Sequence, residues 1–404
     1  MSTSLLYHAF GIRGYVYKST EYVSGQVVFR IERAREDLRC PVCGRENVTC
    51  RGQVLRAFRT LPIGSKLVTI LLPVQRVKCP VCGGARQDRI DFADPKRHYT
   101  HSFERYAIEL SRHTTIQAAV RHLKVSWDVI KDIEKRYLQH RFGRPKLKRL
   151  RLIAIDEVCI GDGYRYLTLV LDLETGAVVF VGDGKGAESL APFWPRLRRA
   201  GAKIEAVAMD MSPAYVLAVS EALPGATIVF DHFHILKLFN EKLSELRRDV
   251  EREAEETLHK EVLKGTRWLL LKNPENLHEG KNERARLEGA LRINKPLATA
   301  YYLKEDLRQL WNKPDKAAAE RFLLDWIARA EASGIRMLKK FAQTLAAHRT
   351  GILAYYDYPI STAALEGTNN KIKTMQRQAY GFRDMEFFKL KILGIHETKY
   401  ALVG

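Results

Sequence analysis

The sequence predicts a multidomain α/β protein: a four-cysteine β module, then a helix-turn-helix, then an α/β layer that runs on into a long helical tract. Three observations carry that reading. Two identical CPVCG tetrads at 40–44 and 79–83 bracket strand-like segments. Strands and helices alternate from Leu152 to Phe230, the order of an α/β layer. From His234 to about Tyr355 the chain is almost purely helical, charged and rich in Leu, Ala, Glu, Lys and Arg. With 404 residues, 46% of them hydrophobic, two to four domains with real cores are expected. The longest nearly unbroken apolar run, Leu67 to Val74, falls far short of the roughly 20 residues of a membrane span. The N-terminal MSTSLLYHAF lacks a basic-then-apolar signal pattern, so a soluble, cytoplasmic protein with no membrane partner is expected.

Charge points to the partner. The whole chain carries 67 basic and 47 acidic residues, a net +20, and residues 1–150 alone hold 29 against 13, or +16. The remaining 254 residues contribute only +4. A basic front half joined to a nearly balanced back half implies that the front half meets a polyanion, DNA or RNA, because phosphate neutralisation supplies most non-specific affinity.

In residues 1–36, alternation around Tyr15, Tyr17, Val23, Val27 and Phe29, with a turn at Gly25, predicts short strands. Residues 37–97 hold strand-like stretches near Val54–Phe58 and Leu67–Val77, with Pro62 and Gly64 marking the turn. Around them Cys40, Cys43, Cys79 and Cys82 form two CxxC pairs separated by 35 residues. Each pair sets two thiolates on one tight turn, where Gly44 and Gly83 let backbone amides point back at sulfur, and two such turns complete a tetrahedral Zn²⁺ site. With all four positions filled by protein, this zinc is structural. Cys50 and Cys159 read as small apolar core residues.

Helical periodicity runs from about Ser102 to Phe142, within residues 98–145. Ala119 is small enough for close helix approach, Leu123 and Val125 fill the space between helices, and Ser126 can cap the next helix. Val129, Ile130 and Ile133 then face inward, which leaves Trp127, Asp128, Lys131 and Lys135 to a DNA groove. A basic linker follows, GRPKLKRLR at 143–151, where Pro145 stops the helix. Its Lys146, Lys148, Arg149 and Arg151 are placed to track backbone phosphates.

Residues 146–233 carry the α/β layer, with strands at Leu152–Val158, Tyr166–Leu173, Ala177–Val181, Ile204–Met209 and Thr227–Phe230, and helices from Ala187 to Ala200 and from Pro213. Two of these strands end in aspartate, IAID at Asp156 and AVAMD at Asp210. Carboxylates at the ends of neighbouring buried strands converge as a site for two Mg²⁺ (or Mn²⁺) ions, about 3.5–4 Å apart, requires. After the helical tract at 234–357, residues 358–404 return to one or two helices. There Ser361 or Thr362 can cap a helix on which Glu366, Asn370, Lys373 and Arg377 share one face at steps of four, three and four. Such a face could hold metal and then grip phosphates; a solvated helix face is the competing account.

From the paired CPVCG knuckles through the helix-turn-helix to IAIDE, AVAMDMSPAY, FDHFHILKLFNEKL and STAALEGTNNKIKTMQRQAYGFRDMEFFKLKIL, nearly the whole chain resembles bacterial DDE transposases of the ISL-three insertion-sequence type. That resemblance implies an RNase H-like catalytic core, with Asp156, Asp210 and Glu366 as its acidic triad. It also implies that the helical tract, inside the 155 residues between Asp210 and Glu366, is an insertion in that core. Asp231 and His234 resemble the aspartate, two residues, histidine element that accompanies the second catalytic aspartate, although the stretch reads DHFH where similar sequences commonly carry arginine after the aspartate. Glu157, Asp162, Asp172 and Asp183 are explained by turn chemistry or solvation. The implied activity is cleavage of terminal inverted repeats and joining of the ends to target DNA, by a dimer or larger assembly on DNA. Two rivals make different predictions: a DNA-binding regulator with an inactive core, and an RNase H-like nuclease or resolvase that cuts without joining.

Overall fold

The computed structural model describes residues 5–161, 165–253 and 266–396; Asp162 lies outside them. It divides into two compact units, Met1–Gly143 and Arg144–Gly404, and the division falls inside the basic linker that Pro145 marks.

The first unit opens with a short helix, α1 (Leu5–Phe10), which the alternation pattern did not predict. Strands β1 (Val16–Val23) and β2 (Gln26–Glu32) then form a hairpin over Ser24 and Gly25. Both turn residues have positive φ, 48° and 76°, the twist that a two-residue hairpin turn needs. A longer hairpin, β3 (Thr49–Ile63) and β4 (Lys66–Lys78), turns at Gly64, and the short β5 (Ala85–Gln87) adds to β4. The sheet order is β1-β2-β4-β3, with β2 and β4 parallel from Val27↔Val68 to Arg30↔Leu71. The strands of residues 1–36 therefore share one sheet with those of the cysteine module, and the expected boundary at 36/37 runs through it. The reason is burial: alternate residues Val27, Phe29 and Ile31 join Phe58, Val68, Ile70 and Leu72 in one core, closed by Leu6 and Phe10 of α1. A two-stranded hairpin alone could not bury such a face.

Three helices complete this unit: α2 (His101–His113), α3 (Ile116–Leu123) and α4 (Trp127–Phe142). Thr100 and Thr115 cap α2 and α3, each hydroxyl accepting from the backbone N–H three residues on. Ala119, Leu123, Ile130 and Ile133 are buried in the shared core, with Val125 and Val129 packed against it. The tight turn into α4 is made by Lys124 in the left-handed region, φ 49°. Ser126 occupies the cap position of α4, but its side chain makes no capping bond.

In the second unit, β6 (Leu152–Gly161), β7 (Arg165–Asp172) and β8 (Val178–Asp183) form an antiparallel meander. The helix expected over Ala187–Ala200 is split: a 3₁₀ turn at Ala187–Leu190 precedes α5 (Phe193–Ala200), and Pro192 stands at the break. Then come β9 (Ala206–Met209), α6 (Pro213–Ala222) and β10 (Thr227–Phe230). The order β10-β9-β6-β7-β8, with β6, β9 and β10 parallel, is that of an RNase H-like core. Its two faces are covered differently. Ile153, Ile155, Val207 and Met209 belong to the core that takes in α5, α6 and the helical tract. Ala154, Val158 and Ala208, on the opposite face, pack against Leu365, Ile372, Phe388 and Ile392 from α14 (Ala363–Gln378) and α15 (Met385–Leu393).

The helical tract begins with α7 (His232–Glu253) and continues as α8 (Arg267–Leu271), α9 (Glu283–Ile293), α10 (Lys295–Arg308), α11 (Lys316–Ala332), α12 (Arg336–Ala347) and α13 (Arg349–Leu353). Phe239, Trp326 and Phe341 meet edge to face with centroids 4.8–6.1 Å apart, and the Trp326 indole donates to the Leu303 carbonyl at 2.8 Å. Helix α13 returns the chain to the sheet, where a Cβ on Gly351 would lie 2.5 Å from the Phe230 ring, so only glycine allows that approach. Among the described residues no helix is long and apolar enough to cross a membrane.

Candidate active site and DNA-binding modules

Strand register lines up three aspartates. Ala154 pairs with Ala208, and Met209 with Phe230, along parallel strands. Two residues beyond the first pair, Asp156 is level with Asp210, and one beyond the second, Asp210 is level with Asp231. Because side chains alternate across a sheet, all three belong to the face carrying Ala154, Ala208 and Val229. Neighbouring strands lie about 4.8 Å apart, so this is a short row of carboxylates across β6, β9 and β10 at the carboxyl ends of β9 and β10.

Helix α14 crosses the row. At its start the Thr362 backbone N–H donates to Asp231 Oδ2 at 2.6 Å, and the Thr362 hydroxyl donates to the same oxygen. Thr362 occupies the cap position, as expected, yet makes no capping bond because its hydroxyl is turned to Asp231. Seven residues on, Asn369 Nδ2 donates to Asp156 Oδ2 at 2.8 Å, and further along Gln376 donates to the Ile160 carbonyl. Seven helical residues rise about 10.5 Å, close to the roughly 9.6 Å between the first and third strands of the row. Glu366, between the two anchors, is thus carried past the middle strand and Asp210. Glu366, Asn370, Lys373 and Arg377 are all exposed, while Leu365, Thr368, Asn369 and Ile372 are buried, so the expected polar face does face solvent beside the row.

Asp231 is 1% exposed and differs from the other two aspartates. Its Oδ1 accepts from the Phe233 N–H at 2.7 Å, and its Oδ2 is taken by Thr362, so both oxygens are satisfied within the protein. It ties the start of α7 to the start of the helix bearing Glu366. Asp231→Ala should therefore lower unfolding free energy by about 2–4 kcal/mol, since it strands two buried donors on Thr362. Urea denaturation monitored by circular dichroism measures this; a change below about 0.5 kcal/mol would show the bond to be dispensable.

Electrostatics separate the remaining acids from ordinary surface carboxylates. Burial pushes the Asp156 carboxyl above the usual range; His234 pulls it down, and the charge of Asp210 raises it further. Glu157 is raised by burial and then by Asp210 and Asp156, with His234 and Lys185 opposing. Two half-buried carboxylates with such neighbours repel one another, and Asn369 Oδ1 beside them is buried without a partner. Oxygen donors of this kind, with charge to be neutralised, suit hard divalent cations. A carboxyl whose pKa is raised on folding favours the folded state below its raised value, and that contribution is lost as pH climbs through it. Asp156→Asn should accordingly raise the thermal midpoint at pH 7 without divalent ions by roughly 2–4 °C, the shift that about 1 kcal/mol produces at this domain size, and the gain should shrink toward pH 4. Differential scanning fluorimetry across pH tests the sign.

Among the described residues, the set of three or more His, Cys, Asp or Glu side chains whose ligand atoms all lie within 4.8 Å of one another is Cys40, Cys43, Cys79 and Cys82; Asp156, Asp210 and Glu366 do not all come within that distance of one another. Cys43 Sγ and Cys79 Sγ are 3.7 Å apart, close to the ~3.8 Å edge of a tetrahedron with 2.3 Å Zn–S bonds. Backbone amides of Val42 and Cys43 lower Cys40 to about 6, and those of Val81 and Cys82 lower Cys79. Gly44 and Gly83, at φ 74° and 63°, close the two knuckles with bonds back to Cys40 and Cys79 carbonyls. Cys50 is half-buried, and Cys159 is exposed rather than a core residue, because it alternates outward between buried Val158 and Ile160.

On α4, Trp127 is 44% exposed with the Lys131 ammonium 5.2 Å from its ring, and Asp128 is exposed beside it; Lys135 is half-buried. In the linker, Lys146, Lys148 and Arg149 are exposed, while Leu147 and Leu150 are buried in the second unit. Arg151 departs from the expected phosphate role: its guanidinium is paired bidentately with Glu205, at 2.7 and 3.0 Å, and also reaches Glu174. That pairing fixes the start of β6 to the start of β9.

Comparison with known proteins gives three family matches. Residues 153–392 match the ISL3-type DDE transposase family, residues 89–138 the helix-turn-helix domain of transposase family ISL3, and residues 37–82 the zinc-finger of transposase IS204/IS1001/IS1096/IS1165. The transposase for insertion sequence element IS1001 of Bordetella parapertussis is 34% identical over 356 residues, 87% of each chain. The chain belongs to the ISL3 family of transposases. A second relative, the transposase for insertion sequence element IS1557 of Mycobacterium tuberculosis, is 29% identical over 373 residues, covering 85% of this chain and 82% of that one. Among solved structures, the Drosophila P element transposase strand transfer complex aligns with a TM-score of 0.38 at 13% identity, over 75% of this chain and 92% of that one, a likeness too loose to bear on the site.

Two residues of this ISL3 chain take on roles that the sequence pattern does not mark. Glu157, which turn chemistry or solvation explains in the sequence, is half-buried, and the charges of both aspartates raise its carboxyl further. Asn369, next to the solvent-facing Asn370, is the amide that holds Asp156. Helical phase could have found it: Thr362 and Asn369 are seven apart and share a face. Asp172 and Asp183 keep their modest roles, the first closing the turn through Glu174 N–H and Thr175, the second pairing with Lys389 at 2.6 Å.

Proposed function

We propose that this chain is the DNA transposase of a bacterial insertion sequence, binding terminal inverted repeats and catalysing Mg²⁺-dependent strand cleavage and strand transfer. The observation that supports it most is the register that sets Asp156 level with Asp210 beneath a helix carrying Glu366. Asp156, Asp210 and Glu366 would hold two Mg²⁺ (or Mn²⁺) ions, which when bound supply Lewis-acid activation of the attacking oxygen and neutralise charge on the leaving one. Asn369 keeps the Asp156 carboxylate oriented through the bond to Oδ2. Asp231, a positioning residue, fixes α14 and with it Glu366. His234, near enough to Asp156 and Glu157 to act on their charge, would orient DNA or a catalytic group beside the metals. Asn370, Lys373 and Arg377 extend from Glu366 along the exposed face and would grip the scissile strand's phosphates.

Recognition falls to the first unit and the basic linker that follows it. Trp127, Asp128, Lys131 and Lys135 on α4 would enter the major groove of the terminal repeat, and Lys146, Lys148 and Arg149 would follow its backbone. The zinc module stiffens the sheet beside these helices. Two transposon ends must be cut and joined together, so the working unit is a dimer or larger assembly on DNA, at the nucleoid in the bacterial cytoplasm. Purified protein incubated with paired terminal-repeat DNA, a target plasmid and Mg²⁺ should yield cut ends and joined products. Cutting without joining would identify a nuclease or resolvase. Sequence-specific binding that persists in EDTA, with no cleavage in Mg²⁺, would identify a regulator.

A further inference from the structure

A cation faces the acids from the side of the sheet that α14 does not cover. Side chains alternate along β6 and β7, so Glu157 with its partner Thr168, and Cys159 with its partner Tyr166, share the face of Ile153 and Ile155, opposite Leu365 and Ile372 of α14. Glu157, Thr168 and Gly182 are level across β6, β7 and β8, so the loop at 184–186 begins two residues beyond the acids. Lys185 is exposed at the centre of that loop. Its ammonium lies 4.7 Å from the Tyr166 ring centroid, and its charge reaches Glu157. The loop is held from below. Gly184, at φ 91°, donates its N–H to the Tyr166 carbonyl at 2.9 Å. Its own carbonyl lies 2.9 Å from Thr168 Oγ1, and the Gly186 carbonyl lies 2.6 Å from Ser189 Oγ. These two hydroxyls are 2.7 Å apart, the Tyr215 hydroxyl of α6 is 2.9 Å from Thr168 Oγ1, and all three residues are at most 3% exposed. Buried hydroxyls joined in this way fix the backbone they touch. The loop's acids are engaged elsewhere: Asp183 pairs with Lys389 at 2.6 Å, and the Glu188 carboxylate is folded against Gly186, where a Cβ would stand 2.3 Å from it. Among the described residues the Lys185 ammonium has no hydrogen-bond or ion-pair partner, only the Tyr166 ring.

The two steps of the reaction make different demands on the two faces. In cleavage the attacking group is water, one DNA occupies the site, and the exposed face of α14 is there to grip it. In joining, the attacking 3′ hydroxyl belongs to the transposon end and the phosphate attacked belongs to the target, so two DNA backbones meet from opposite sides of an in-line displacement. A positioned cation on the face away from α14 has a phosphate to meet only in the second step. We propose that Lys185 holds a backbone phosphate of the target DNA during strand transfer. This rests on the transposase reading above. Cys159, beside Tyr166, lies three residues past Asp156, about 10 Å at strand spacing. With one phosphate per ~3.4 Å of each strand, the phosphate held is about three nucleotides from the one that is joined.

The test uses the full-length protein with intact and with pre-cut terminal-repeat ends. Lys185→Ala should leave Mg²⁺-dependent cleavage of intact ends within about twofold of wild type. Joining of pre-cut ends to a target plasmid should fall about tenfold at limiting plasmid, in the range that loss of one charge-assisted contact produces, and saturating plasmid should restore it. Lys185→Arg should keep most of the joining and Lys185→Glu should lose more than Lys185→Ala, an order set by charge that a merely structural role would not give. The slope of log joining rate against log salt should become shallower by about one in Lys185→Ala. Unchanged joining would overturn the proposal, and so would equal losses of cleavage and joining, which would move Lys185 to the transposon end. Binding in EDTA separates this contact from the reading it rests on. Wild type should hold a branched DNA, one end already joined to target, more tightly than the same end alone, and Lys185→Glu should abolish that preference. A Lys185-dependent preference in a protein that never cuts in Mg²⁺ would leave the contact standing and remove the catalytic reading, whereas joining by wild type with no such preference would remove the contact alone.

Discussion

Asp210→Asn should leave terminal-repeat binding within about twofold of wild type while Mg²⁺-dependent strand cleavage falls a thousandfold or more, a barrier increase of about 4 kcal/mol. The substitution is isosteric. Asp210 Oδ1 accepts from the Ser212 N–H at 3.0 Å, and an asparagine oxygen can keep that bond, so the turn into α6 should hold. What is lost is one negative charge and one hard oxygen donor, level with Asp156 on the neighbouring strand. Recognition of the terminal repeat is assigned to α4 of the first compact unit, residues 1–143, and to Lys146, Lys148 and Arg149 of the linker, none of them altered by the substitution, so binding has no reason to change. Gel-shift titration and a supercoiled-plasmid nicking assay on the same preparation separate the two effects. Normal cleavage by Asp210→Asn would sink the acidic triad, and joint loss of binding would make the aspartate structural.

The same row explains why Asp231 must be read differently from its neighbours. In all three cases an apolar strand runs into an aspartate, and sequence pattern cannot distinguish them. Partners can: Asp231 has both oxygens occupied by protein donors, Asp210 spends one oxygen on its own turn, and Asp156 receives the Asn369 side-chain amide on Oδ2. A carboxylate saturated by the protein positions a helix, whereas one left partly open in a desolvated site can hold a cation. Asp231→Asn would thus act through displaced α14, with a stability loss that Asp210→Asn should not share.

Local features of this chain were legible in the sequence. The helix-turn-helix core came from Ala119, Leu123 and Ile130 because helical period fixes which residues meet, and the CPVCG knuckles declared their own chemistry. The strands bearing Asp156 and Asp210 were visible as apolar runs. Long-range pairing was not: nothing local shows that β2 joins β4, or that Arg151 is drawn to Glu205, since both depend on which distant segments a shared core brings together. Glu157 and Asn369 are not legible in the sequence for a related reason. Each acquires its meaning from residues more than 50 positions away, Asp210 for the one and Asp156 for the other.

Zinc removal should divide the first unit rather than unfold it all. The four cysteines cluster at one end of the β3–β4 hairpin: Cys79 directly follows β4, and Cys40 and Cys43 precede β3. At the other end Phe58, Val68 and Ile70 are buried with Phe29 and Phe10 in an apolar core that owes nothing to metal. Structural zinc sites contribute on the order of 10 kcal/mol to the fold that binds them, more than the few hydrogen bonds of the knuckles can replace. Chelation, or Cys40→Ser, should therefore raise amide hydrogen exchange a hundredfold or more in residues 40–50 and 77–87, while exchange in residues 54–72 and in α2–α4 changes little. Affinity for terminal-repeat DNA should fall about tenfold or more if the knuckle end helps hold the duplex, and helix-turn-helix contacts alone would then account for what remains. Uniform exchange across residues 5–143 after chelation would mean that the apolar core cannot stand without the metal, and unchanged exchange at the knuckles would mean that the four thiols hold no zinc.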